Sequence, residues 1–447
     1  MHANMAERKA YEKIKGVDKL LRWLSWSYIA LLLIEGALRK WLMPGLSDIL
    51  LLARDPVVLA AYGTALTHQR FPLNKYVISG LALMFVAVLA TLLIGHGNLL
   101  VTAFGFRANF FHIPFAFIMG TVLFRSDVVT IGRWWLWGTL LMTALIVMQF
   151  YSPQSAWINR SVGGLEGGGF SGALGRYRPP GTFSFIVGVV WFYTFATAFL
   201  VAGLTQHKRY SKVLLALSAM AIIIAIPVSI SRSLILAAGL TFAVGLFSST
   251  FQKHAFMRYV RIALIACVGL FIANQFTVFD DAKEAFLNRW ERSTGESKGG
   301  VQHALVSRII DDFIGPFTQS EDVPLLGEGM GAGTQVGAKL LTGERGFDLG
   351  ESEWYRLTGE GGLILGTLFI MWRVWVTFQL GKYAFIAFRK GNGMGLIFLS
   401  ATAYNLLVGQ FGQSTINGFM VVGIGLTIAS MRPRKTVTLT TNEQSSD

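Results

Sequence analysis

Glu351-Ser352-Glu353-Trp354-Tyr355-Arg356-Leu357-Thr358-Gly359-Glu360-Gly361-Gly362 is the seam between two kinds of sequence. After it runs an apolar block, Gly361 to Leu380, long enough as a helix to cross about 30 Å of hydrocarbon. Before it runs a polar segment, Thr277 to Thr358, with Asp280, Asp281, Arg289, Arg292, Arg308, Asp311, Asp312 and a glycine-rich run from Gly327 to Gly333. About eighty residues is more than a connector needs, so this segment is expected to recognise something.

Working outward, apolar blocks recur at Leu21 to Leu38, Leu46 to Leu66, Tyr76 to Gly95, Phe111 to Phe124, Trp134 to Tyr151 and Thr182 to Leu204. They continue at Val213 to Ile230, Ser233 to Ser249, Ile262 to Phe276, Gly361 to Leu380, Met394 to Gly409 and Thr415 to Met431. The chain has 447 residues, 53% hydrophobic and only 14% charged, where a soluble domain carries about 25% charged residues. The pattern predicts an all-α polytopic membrane protein of about twelve transmembrane helices, with a long loop between helices 9 and 10. The expected divisions are an N-terminus (1–20), helices 1–9 (21–276), the loop (277–358), helices 10–12 (359–431) and a polar tail (432–447).

Lys and Arg gather in alternate connections: the N-terminus, then Arg70 and Lys75, Arg125 and Arg133, Lys208 to Lys212, and Lys253 to Arg261. The series ends with Lys382 to Lys390 and Arg432 to Lys435. By the positive-inside rule these connections are cytoplasmic, so both termini lie inside and the loop 277–358 lies outside. The basic start (Arg8, Lys9, Lys13, Lys15) meets a full-length apolar block without a small-residue cleavage site, so the first helix is expected to stay as an anchor. The net charge of +14 follows the membrane pattern and not a nucleic-acid patch. A single cysteine, Cys267, excludes an intrachain disulfide, and seven scattered histidines give no metal-ligand spacing. No inverted repeat of the transporter kind is visible.

The outer connections should be poor in basic residues, yet they hold Arg39, Lys40, Arg107, Arg160, Arg176, Arg178 and Arg232. An arginine fork grips phosphate oxygens through two parallel hydrogen bonds, which is what a lipid-linked diphosphate requires. The plainer reading is snorkelling to headgroups, or pairing with a nearby acid. Arg178 stands before Pro179-Pro180-Gly181-Thr182, where the prolines fix an extended entry into the next span. Arg232 sits in a connection too short to leave the membrane surface. Glu35, Arg54 and Asp55 fall inside apolar blocks, where they are expected to pair with one another. The glycine-rich stretch Gly163 to Gly175 reads as a flexible outer loop, and neither glycine run has the strand and helix of a dinucleotide fingerprint.

A helix beginning near Glu353 would put Glu353, Arg356 and Glu360 on one face, at i, i+3 and i+7. One reading makes a carboxylate there a general base, and the other makes the face a salt-bridge ladder. Glu351 and Glu353, ahead of the span, are the candidates for the base.

These features resemble the O-antigen ligase and polymerase family, integral membrane glycosyltransferases of the GT-C type. The likeness rests on Glu35-Gly-Ala-Leu-Arg-Lys-Trp41, Arg178-Pro-Pro-Gly-Thr182, Ser231-Arg-Ser233, and Pro324-Leu-Leu-Gly-Glu-Gly-Met-Gly331 followed by Glu351-Ser-Glu-Trp-Tyr-Arg-Leu-Thr-Gly-Glu-Gly-Gly362. It implies outer-face arginines holding an undecaprenyl diphosphate-linked glycan, with no metal or other cofactor. Arg178 and Arg232 match the family's arginine positions, with Arg107, Arg39, Lys40 and Arg356 as further diphosphate contacts. The ligase branch carries His-Asn where this chain has Glu351-Ser352, which favours a polymerase of O-antigen or exopolysaccharide units with Glu351 as base and Glu353 as alternative. The resemblance further implies the bacterial inner membrane as location, membrane lipids as surroundings and a chain-length regulator as partner. The rival expectation is a transporter or flippase for the same lipid-linked glycan, with charges lining a path through the midplane.

Overall fold

Among the residues that the computed structural model describes (2–165, 170–205, 209–249, 257, 260, 280–295, 313–318, 325–343 and 352–432), helices dominate. Nine are long and apolar enough to cross a membrane: Gly16–Leu42, Pro44–Thr67, Lys75–Leu93, Leu99–Val122, Arg125–Tyr151, Ile186–Thr205, Arg232–Ser249, Glu353–Arg389 and Ser414–Met431. Two shorter apolar helices, Lys212–Val228 and Met394–Val408, complete the set among the described residues. The chain is an all-α polytopic membrane protein. Every expected block has its helix except Ile262 to Phe276, which lies outside the described residues, as do Glu351, most of the polar segment and the tail beyond Arg432.

The centre of the bundle is set by two helices without a polar face. Ile186–Thr205 is 89% buried and Ser414–Met431 is 78% buried, whereas Pro44–Thr67 and Lys75–Leu93 turn most of their surface to lipid. Small residues bring the inner helices together, as membrane packing without a hydrophobic drive requires. A methyl at Gly120 would meet Ile428 at 2.6 Å. Around this contact Trp135 packs on Phe192, Phe195, Phe199 and Phe419.

Three expectations about boundaries are corrected. The fourth span begins at Leu99, not Phe111, because Arg107, Asn109 and His112 interrupt the apolar run without interrupting the helix. A π-helical turn, Arg107–Phe111, carries them into the protein interior, where each finds a partner. Arg39 and Lys40 are not in an outer connection, since they belong to a second π-helical turn, Leu38–Leu42, that ends the first span with both side chains buried. The stretch Gly163 to Gly175 is not simply a loop. It includes a 3-10 turn, Val162–Gly164, and a hairpin of strand β1 (Phe170–Ala173) and strand β2 (Arg176–Arg178), which pairs Phe170 with Arg178 and Ser171 with Tyr177. Leu174 and Gly175 both take positive φ (52° and 72°), the conformation of a tight two-residue hairpin turn.

The seam takes a fourth form. One helix, Glu353–Arg389, is broken at Gly362, whose φ of +67° and ψ of −176° only glycine tolerates. The run Leu325 to Gly333 wraps this break: Glu328 and Gly329 donate N–H bonds to the carbonyls of Gly359 and Glu360, and Ile364 donates to Leu325. A methyl at Gly362 would meet the Leu325 carbonyl oxygen at 2.3 Å. The glycine-rich run is therefore a strap around a kinked span.

Candidate anion-binding cleft

Arg178 ends β2, and Pro179-Pro180 then lead to Gly181 and the inner span. This approach is held by one buried amide at the end of helix Arg125–Tyr151. Gln149 accepts the Gly181 N–H at 2.8 Å and donates its Nε2 to the Ile158 carbonyl at 3.0 Å. Asn159 closes the same loop by donating Nδ2 to the carbonyls of Gln149, Ser152 and Pro153. The two amides thus fix both the segment that ends at Arg160 and the one that starts at Arg178.

Between them lies a cleft of about 350 Å³, lined by Lys40, Gln149, Arg160, Tyr177, Arg178 and Ser184 among others, with no carboxylate in its lining. Lys40 is 1% exposed and donates Nζ to the Gly181 carbonyl. The Nε atoms of Arg160 and Arg178 are buried and bond to nothing among the described residues. Burial pushes the Arg178 guanidinium down from 12.5 to about 10, and the neighbouring charges of Arg289 and Arg232 push in the same direction. Arg289 stands on the helix Asp280–Gly295 and donates to the Ser171 carbonyl of the hairpin at 3.3 Å. A site that gathers cations and leaves out acids is complementary to a multiply charged anion.

The chain was compared with known proteins on this basis, and no family model, no curated protein and no solved structure matches it.

Of the residues expected at the site, the structure brings Lys40, Arg178 and Arg232 together. Arg39 reaches the rim, donating to Ser184 Oγ at 3.1 Å, but it also pairs with Glu35 at 3.5 Å. Arg107 lies elsewhere, gripping Asp55 with Nε and Nη2 while His112 holds the same carboxylate at 3.1 Å. Glu35 takes Arg54 at 3.0 Å, so the intramembrane acids do pair, though each with a different arginine. Arg176 pairs with Asp281.

Glu353 and Arg356 are corrected from catalytic and diphosphate roles. Arg356 bonds both oxygens of Glu353 at 2.8 and 2.9 Å, the Asn109 carbonyl oxygen at 2.7 Å, and approaches Glu360 at 2.8 Å. Glu353, 1% exposed, also takes Arg373 at 2.8 Å and the Phe411 N–H at 3.2 Å, which leaves no path to an acceptor hydroxyl. The shared face of Glu353, Arg356 and Glu360 is thus the ladder, extended by Arg373. Glu351 lies outside the described residues.

Arg160 was visible as one of the outer arginines without being singled out. Gln149 and Arg373 went unread, although each is a strongly polar group within an apolar block, and in a membrane span that is the available signal.

Proposed function

We propose that this protein is a metal-independent inverting glycosyltransferase that joins undecaprenyl diphosphate-linked oligosaccharide units into O-antigen or exopolysaccharide at the outer face of the bacterial inner membrane. The reading takes twelve spans, with both termini cytoplasmic and the segment 277–358 outside, from the alternation of basic connections. The observation that carries it is the cleft, where Lys40, Arg160 and Arg178 converge without an acid. In the reaction the acceptor hydroxyl attacks the anomeric carbon, and the bond from that carbon to the diphosphate oxygen breaks. The leaving diphosphate departs with the bonding electrons, and Arg178, Arg160 and Lys40, assisted by Arg232, stabilise the charge it gains. The hydroxyl proton passes to the carboxylate of Glu351.

The transport reading draws on Glu35, Arg54 and Asp55, and each of these is held in an ion pair, which favours the cleft over a midplane path. Purified protein given a lipid-linked repeat unit should extend it into a ladder on a gel, and Arg178→Ala and Arg160→Ala should each abolish the ladder. A ladder that persists in both variants rejects the cleft, and movement of the unit between leaflets without a ladder makes the protein a flippase.

A further inference from the structure

An aromatic pair that the reaction above does not use stands beside the cleft. Trp41 and Trp157 stack with ring centroids 5.7 Å apart and planes 28° from parallel. Trp41 directly follows Lys40 in its π-helical turn, and the Lys40 ammonium lies 4.4 Å from the Trp41 ring centroid. Trp157 opens the 3-10 turn Trp157–Asn159, which hands on directly to Arg160. Both rings are therefore tied to cations of the cleft. Trp157 is nonetheless 57% exposed, and the Trp41 Nε1–H is buried with no hydrogen-bond partner among the described residues.

A tryptophan that only anchors a protein at the bilayer interface needs neither a stacking partner nor a link to a buried cation. A sugar esterified to a diphosphate has other demands. Its ring is one glycosidic oxygen away from the phosphorus, so the pyranose must lie next to whatever cations hold the phosphate. One face of that ring presents C–H bonds of slight positive charge, which suit the negative face of an indole. Its hydroxyl oxygens can accept from an unpaired indole N–H.

We infer that Trp41 and Trp157 form a sugar-stacking subsite that holds the pyranose bonded to the diphosphate. The inference rests on the cleft's being a diphosphate site and narrows its ligand to a glycosyl diphosphate. The test is calorimetric titration of the detergent-solubilised full chain with three probes: inorganic pyrophosphate, a short-chain prenyl diphosphate, and a glucosyl diphosphate carrying the same prenyl chain. Trp157→Ala should weaken the glucosyl probe about tenfold and the other two less than about twofold, with Trp157→Phe recovering most of the loss. Equal losses for all three probes, no loss for any, or a loss confined to the prenyl chain overturns the subsite while leaving the cleft standing. Failure of the parent protein to bind any of the three overturns cleft and subsite together.

Discussion

Arg356 and Arg178 are both guanidinium groups withdrawn from water, and their surroundings differ in one respect. Arg356 has a carboxylate on either side of it along its own helix, each 2.8 Å away, and Arg373 extends the array across to Leu406 and Gly409 through its carbonyl bonds. Arg178 has no acid, and the charges that act on it, Arg289 and Arg232, are of its own sign. Charge in an apolar interior is costly unless matched. The matched set is scaffold, and the unmatched set is completed only by something from outside.

The contrast breaks most visibly at Glu353. Glu353→Ala strands two buried guanidiniums and should cost about 3–5 kcal/mol, seen as loss of monodisperse protein when detergent samples are heated. Parent-like thermal behaviour would show that the array is not structural. Gln149→Leu tests whether the unmatched set is held in place. Losing the amide's bonds to Gly181 and Ile158 should weaken pyrophosphate binding roughly tenfold while the fold survives, as one buried hydrogen-bonding group predicts. Unchanged affinity would mean that the two loops hold their arginines without it.

The smallest effect has the opposite sign. Removing an unmatched charge should help the empty protein, so Arg178→Met should raise the unfolding midpoint by a few degrees. The folded-state pKa of Arg178, about 10, lies below its ordinary 12.5, so the unfolded chain holds the proton longer. The parent therefore gains stability as pH rises through about 10, and the advantage of Arg178→Met should shrink over that range. An advantage independent of pH would place its cause elsewhere than in the charge.

The two regions were not equally legible from sequence. Hydropathy alone located the spans, because a bilayer demands the same length of apolar residues from each. The ladder of Glu353, Arg356 and Glu360 was readable because helical spacing is local. The pairing of Arg107 with Asp55 and of Arg373 with Glu353 was not, since each joins different helices and depends on how the bundle packs. Arg178 announced itself through the rigid prolines after it, while Lys40 was placed in a connection because a π-helical turn leaves no mark in a hydropathy pattern.

That turn, Leu38–Leu42, divides three successive side chains among three tasks: Arg39 joins the acid at Glu35, Lys40 enters the cleft and Trp41 meets Trp157. A wide turn of this kind accommodates one residue more than the α-helix around it. Deleting a single residue there would restore α-helical winding and swing everything that follows by about 100°. The lysine and the indole would then trade directions, so chain length at this one point is as much a determinant of what the protein can hold as the identity of any side chain in it.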